Sequence, residues 1–197
     1  DAELSALVEH VLFRPRVVVT AASGVGKTSL LRAGLVPRLD GLVARALYVS
    51  CRVEPAAAII AGLAPGAEDV VAAARVALAG GGRVVLVLDQ LEAVLVDEPG
   101  GARARGDRGW LAELLAFDAG RTGALALVLA VREDHLARLL DRADLRAEGA
   151  PIVRLGPLAA AGAREALERP LTERRLAIAP ELLDALLEDL VAAAAAL

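Results

Sequence analysis

Val17-Val18-Val19-Thr20-Ala21-Ala22-Ser23-Gly24-Val25-Gly26-Lys27-Thr28-Ser29-Leu30-Leu31-Arg32-Ala33-Gly34-Leu35-Val36-Pro37 is the stretch that decides the fold. A short β-branched run leads into a glycine-spaced turn, and leucines at helical spacing follow. The lysine in it is the single lysine among 22 Lys and Arg residues. In a chain so biased to arginine, Lys27 marks a place that wants a compact ammonium on a flexible stem, not a planar fork. The segment fits G-x-x-x-x-G-K-[ST], with Ala21 at the first glycine position. That is the pattern of a phosphate-binding loop.

Each residue type in the loop has its own reason. Gly24 and Gly26 let the backbone approach phosphates with N–H groups pointing inward, forming an anion nest. The helix opening at Lys27 adds its N-terminal dipole, worth about 0.3–1 kcal/mol at exposed sites and more when partly buried. Ser23, Gly24, Val25, Gly26, Lys27, Thr28 and Ser29 are therefore the expected nucleotide-binding residues. Lys27 is expected on the β- and γ-phosphates, and the Thr28 hydroxyl on Mg²⁺. A plain glycine turn before a helix is the competing explanation; a preceding strand and a following helix argue against it.

Such a loop needs a second half, an apolar strand ending in a carboxylate. Val84-Val85-Leu86-Val87-Leu88 ends at Asp89 and supplies it, so Asp89 joins Thr28 as an expected Mg²⁺ ligand. The continuous apolar run implies burial on both faces, as in a parallel sheet.

Around these motifs the chain alternates strand and helix. Residues 3 to 13 read as an amphipathic helix, and the helix after Lys27 is expected to stop at Pro37. Strands are expected at 17–20, 46–50, 84–88, 124–131 and 152–155. Helices are expected at about 67–79, around Trp110, and after Arg132, where Asp134 and Arg138 are spaced to pair at i,i+4. Beyond Leu158 the pattern is helical, over 159–169 with a stop at Pro170, then again from Pro180. This predicts a three-layer α/β fold. The phosphate-loop motif resembles that of the P-loop NTPases, and that resemblance implies a parallel sheet of ASCE type in the order 5-1-4-3-2. Residues 1–157 are expected to form the NTPase domain, and 158–197 are expected to be the truncated beginning of a helical lid domain.

Composition agrees with this class. Apolar residues make up 56% and aromatics only 2%, so Leu, Val and Ala must build the core. A net charge of −4 gives no general attraction to nucleic acid or anionic membrane. One cysteine, Cys51, suits a reducing cytoplasm and reads as a buried small hydrophobe. No uncharged run reaches the roughly 18 residues of a membrane span. A chain that starts at Asp1 without an initiator methionine is expected to be a fragment or a processed form, and the Arg, Ala, Gly and Val bias fits a high-GC bacterial genome. Arg103, Arg105 and Arg108 read as a solvated basic loop. His10 and His135 lack metal-ligand spacing, and Trp110 reads as the anchor of a helix on the sheet.

The stretches "VVVTAASGVGKTSLLRAGLVPRL", "VVLVLDQLEAVL" and "LVLAVREDHLARLL" resemble those of the STAND NTPases, most of all the novel STAND type of bacterial proteins linked to WD40 or TPR repeats. The resemblance rests on Ser23, Gly24, Gly26, Lys27, Ser29, Leu30, Arg32, Ala33, Gly34, Leu35 and Pro37, then on Asp89, Gln90, Glu92, Arg132 and Asp134. Leu91 and Ala93 depart from the family's D-Q-F-E-E.

Gln90 occupies the place where many related ATPases carry a catalytic Glu, so water activation falls to Glu92 or to no residue. Glu92 otherwise reads as a surface or salt-bridging carboxylate. Arg132, at the end of a strand expected between those of the P-loop and Asp89, reads as a γ-phosphate sensor, or else as an arginine pairing with Asp134 or Asp89. The catalytic set is thus Lys27, Glu92 and Arg132.

The resemblance implies Mg²⁺-ATP binding and slow hydrolysis in a nucleotide-gated signalling switch. Protein partners would come from domains outside this segment, with oligomerisation on activation, in the cytoplasm. A P-loop small-molecule kinase and a binding module without hydrolysis are the alternatives.

Overall fold

The computed structural model describes residues 2–95, 109–119, 124–141, 149–156 and 160–195. The basic loop of Arg103, Arg105 and Arg108 lies outside these residues.

Helix α1 (Ala2–Phe13) leads into β1 (Arg16–Ala21), and the phosphate-loop segment connects β1 to α2 (Lys27–Ser29). The helical run then widens into a π segment (Leu30–Leu35) and continues as α3 (Val36–Leu39). β2 (Arg45–Ser50), α4 (Pro55–Leu63), α5 (Val70–Ala79) and β3 (Val84–Asp89) follow. After β3 come α6 (Glu92–Leu95), α7 (Gly109–Ala119) and β4 (Leu125–Arg132). A 3₁₀ turn (Glu133–His135), α8 (Leu136–Leu140), β5 (Ile152–Leu155), α9 (Ala160–Glu173) and α10 (Pro180–Ala195) complete the described order.

All five strands pair in parallel, in the order β2-β3-β4-β1-β5. This is the expected order read from its other edge. β4 therefore lies between β1 and β3, with Arg132 opposite Ala21 and Leu129 opposite Leu88.

Alternation along the central strands explains the three layers. Leu125, Leu127, Leu129 and Val131 turn to one face and pack with Leu86, Leu88, Ile59, Ala73, Trp110 and Leu114. Ala126, Val128 and Ala130 turn to the other face with Val85, Val87, Leu7, Leu31 and Leu35. Leucines fill the α4, α5 and α7 side, and smaller residues face α1 and the run that opens at Lys27. Each fully buried leucine contributes about 1.5–3 kcal/mol, so these two faces carry much of the fold.

Local chemistry fixes the connections. The Asp69 side chain accepts from the Ala72 N–H at 2.7 Å and caps α5. The guanidinium of Arg45 donates to the carbonyls of Gly62 and Leu63 at 2.8 and 2.9 Å, closing the end of α4. Buried Arg16 donates to the Leu115 carbonyl at 2.6 Å and ties β1 to α7.

Three expectations are corrected, and one helix is added. Pro37 does not stop its helix; it lies in the first turn of α3, immediately after the π segment. A proline cannot donate to the carbonyl four residues back and crowds it, and the wider π turn, with Val36 N–H bonded to Leu31 O, accommodates this. Pro170 likewise lies inside α9, which runs on to Glu173. The helix expected at about 67–79 is α5, which starts at Val70, and α4 before it is a helix the sequence reading does not include. Asp134 turns back to Arg132, and no pair with Arg138 is found among the described residues.

Helices α9 and α10 are joined by the Arg164–Asp184 ion pair at 2.8 Å, with Ala163 and Leu183 buried. Among the described residues, no helix is long and apolar enough to cross a membrane.

Candidate functional site

The C-terminal ends of β1, β3 and β4 meet at one edge of the sheet, and the expected site residues lie there. Between β1 and α2 the loop turns through Gly24 at φ 85° and Gly26 at φ 97°, both left-handed and suited to glycine. A Cβ built on either glycine would meet no atom within 4 Å, so the space above the loop is open. Ser23 and Ser29 are exposed, Val25 packs on the α1 side of the sheet, and Lys27 is buried at the start of α2.

Lys27 and Thr28 both converge on Asp89, which lies 62 residues from the lysine. Lys27 Nζ donates to Asp89 Oδ1 at 2.6 Å, and Thr28 Oγ1 to Asp89 Oδ2 at 2.6 Å. Asp89 is fully buried. Two further donors complete its shell: the Tyr48 hydroxyl reaches Oδ2 at 2.9 Å, and the Gln90 N–H reaches Oδ1 at 2.8 Å. Burial alone pushes the Asp89 carboxyl up. The hydrogen bonds from Lys27 and Thr28, the lysine charge and the Tyr48 hydroxyl outweigh it, and hold the group below the usual carboxylate range.

The carboxylate marks its neighbours in turn. Burial and then the hydrogen bond to Asp89 push Tyr48 up to about 12. Burial, then the charges of Asp89 and Glu92, push the Cys51 thiol up to about 12. Cys51 is the buried small residue expected from the sequence.

The turn after Asp89 is strained. Gln90 has φ 60°, a left-handed conformation uncommon outside glycine. Its side-chain oxygen accepts from Ser50 Oγ at 2.9 Å, on neighbouring β2. Leu91 N–H bonds to Ala130 O at 3.0 Å, so the chain then crosses toward β4. This brings Glu92 to the end of β4, where its Oε2 accepts the Arg132 N–H at 3.2 Å. The Arg132 side chain forks onto Asp134, at 3.1 Å from Nε and 2.8 Å from Nη2. Of the two pairings considered for this arginine, the one with Asp134 is formed. Arg154, exposed at the end of β5, pairs with Glu133 of the same turn.

The donor set suits Mg²⁺. Thr28 and Asp89 offer hard oxygens, and Mg²⁺ is commonly held by one or two carboxylates together with substrate phosphates. Among the described residues, no three His, Cys, Asp or Glu side chains gather as metal ligands, so no all-protein cage competes with that arrangement. The open space above Gly24 and Gly26 leaves room for phosphate oxygens at the backbone.

Sequence reasoning missed Tyr48 and Ser50, which it took only as strand residues. A polar-tipped aromatic in an apolar strand is a faint signal; its target depends on the β2–β3 register, Tyr48 opposite Val87 and Ser50 opposite Asp89.

Comparison with known proteins now decides the family. The profile described as Novel STAND NTPase 1 matches residues 1–197, the full length. The chain belongs to the novel STAND NTPases. A search of curated proteins finds no match.

Among solved structures, this STAND chain is similar to ORC1 of Aeropyrum pernix in complex with DNA, at TM-score 0.65 and 19% identity over 87% of this chain and 49% of that one. It is similar to AMPPCP-bound DnaA of Aquifex aeolicus, at 0.55 and 21% over 94% and 54%. Cdc6p of Pyrobaculum aerophilum gives 0.59 and 19% over 85% and 47%. At these identities the likeness speaks for the fold alone. The chain spans about half the length of each of these structures. Family and fold together make it a P-loop NTPase module of the nucleotide-binding kind.

Proposed function

We propose that the chain binds Mg²⁺-ATP and hydrolyses it slowly, as the nucleotide-gated switch of a larger signalling protein. The observation that carries this is the convergence of Lys27 and Thr28 on buried Asp89, each at 2.6 Å. Two strands far apart in sequence thus bring an ammonium, a hydroxyl and a carboxylate together beside an open glycine cradle.

Ser23 through Ser29 hold the phosphates through backbone N–H groups, and Lys27 leaves Asp89 to contact the β- and γ-phosphates. Thr28 and Asp89 would hold Mg²⁺, which supplies charge neutralisation to the triphosphate when bound. Glu92 positions the attacking water, for which its carboxylate must leave the Arg132 N–H. Arg132 exchanges Asp134 for the terminal phosphate and so reports triphosphate against diphosphate. Adenine rests on the STAND resemblance, and DnaA, which is similar in fold, was solved with AMPPCP.

Residues 1–157 form the NTPase domain in this account, and α9–α10 begin the helical lid whose position the nucleotide sets. Sensor and effector domains lie in other parts of the parent protein, which oligomerises on activation in a bacterial cytoplasm. With a net charge of −4, no nucleic-acid partner is proposed.

A binding module without hydrolysis is the second reading. It is favoured by the Glu92 carboxylate being engaged with the Arg132 backbone, and by Gln90 following Asp89. Phosphate release under saturating Mg²⁺-ATP separates the two. Slow release in the wild type that falls at least tenfold in Glu92→Gln supports hydrolysis, since a positioned acid–base group contributes about 10²–10⁴-fold. No release from either protein leaves the binding module; equal rates remove Glu92 from the mechanism.

A further inference from the structure

The candidate metal carboxylate is held by a residue that belongs to no phosphate-binding motif. Asp89 Oδ1 accepts from Lys27 and the Gln90 N–H, and Oδ2 from Thr28 and the Tyr48 hydroxyl. A carboxylate offers about four lone-pair positions, and all are used. The four donors divide into two pairs. Lys27 and Thr28 stand on the helix that must turn to phosphate and metal. Tyr48 and the Gln90 N–H stand on the sheet and on the turn after β3. Once Lys27 and Thr28 engage a ligand, only the second pair still orients the carboxylate.

Tyr48 is built for this reach. Its Cα pairs with Val87, two residues before Asp89 on the same face of the sheet. Only a long side chain spans that diagonal to a neighbouring strand. The ring packs with the apolar cluster on the α1 side, beside Ala46. The Arg32 guanidinium lies 5.2 Å from the ring centroid and covers it from the helical run that begins at Lys27. Tyr48 is the single tyrosine of the chain. Sheet and phosphate-loop helix thus fix one hydroxyl between them.

We infer that Tyr48 is a positioning residue for the metal-binding carboxylate: its hydroxyl orients Asp89 and thereby sets the Mg²⁺ concentration that nucleotide binding requires. The inference rests on the Mg²⁺-nucleotide function proposed above. Groups that hydrogen-bond a metal ligand from behind typically change metal affinity or activity by about 10–100-fold.

The test is equilibrium binding of a fluorescent ATP analogue to the whole chain, in EDTA and across a Mg²⁺ series, for wild type and Tyr48→Phe. Phenylalanine keeps the ring and its contact with Arg32 and removes only the donor. In the variant, the Mg²⁺ midpoint is expected to rise about 10–100-fold, with affinity in EDTA unchanged. A wild-type midpoint in the variant overturns the inference. So does equal weakening with and without Mg²⁺, which would make Tyr48 a structural support of the whole cradle. A wild type that binds nucleotide with no response to Mg²⁺ overturns the metal assignment itself, and Tyr48 falls with it. A variant matching a Mg²⁺-responsive wild type removes Tyr48 alone.

Discussion

Lys27→Met tests the buried pair at the centre of the site. Methionine keeps an unbranched stem and removes the ammonium, whose partner lies at 2.6 Å. The lysine side chain is 9% exposed and the aspartate 0%, so neither group is served by bulk water. Removing one member of a buried pair costs about 3–5 kcal/mol, because the other charge is left without its counterion. Asp89 keeps three donors, from Thr28, Tyr48 and the Gln90 N–H, which places the loss near the lower end, about 3 kcal/mol.

Asp89→Asn, made alone and with Lys27→Met, closes a double-mutant cycle. The expected coupling is about 1.5–3 kcal/mol, the range of a hydrogen bond between charged groups. Urea unfolding at pH 7 reads all four stabilities. Single losses that add to the double within about 0.5 kcal/mol would refute the pair as an energetic unit.

The sign of the pH dependence follows from Asp89. Its folded-state pKa lies below the unfolded value, so its contribution is full above about 3.9 and is lost as pH falls through the folded value. The wild type therefore keeps its advantage over Asp89→Asn from pH 7 down to the ordinary carboxylate range. Below that range the gap closes.

Three further outcomes are expected. Gly26→Ala places a side chain at φ 97°, which costs about 1–2 kcal/mol in urea unfolding, and its Cβ enters the open cradle, so ATP affinity falls as well. Cys51, buried and with its thiol pushed up to about 12, resists iodoacetamide at pH 8 and reacts only when urea unfolds the chain; rapid labelling of the folded protein would contradict this. Pro170→Ala restores a backbone donor inside α9, and hydrogen exchange across that helix should slow by an amount equivalent to about 1 kcal/mol or more; unchanged exchange would mean that the helix ends before it.

The strand order was legible because the phosphate-loop motif and the Asp89 strand resemble those of the P-loop NTPases, and that resemblance implies the order found, with the apolar run of β4 in the centre. Lys27, Thr28 and Asp89 were legible as a set for the same reason. The departures have physical causes. Helix α4 is almost uniformly apolar and carries Gly62 beside Leu47 of β2, so no polar face marked its period. Pro37 and Pro170 read in the sequence as helix stops, but a π turn accommodates the first and the helix runs past the second. Tyr48 escaped notice because its contact with Asp89 depends on strand register, which alternation alone does not specify. The choice of Asp134 as the partner of Arg132 depends on the tight 3₁₀ turn after β4.

The central claim is that the loop around Lys27 holds a nucleotide. Equilibrium titration of ATP with Mg²⁺ into the wild type and Lys27→Ala tests it most directly. The variant should bind at least about tenfold more weakly, the loss of one hydrogen bond to a charged phosphate. A Lys27→Ala protein that remains folded and binds ATP as tightly as the wild type would contradict the account.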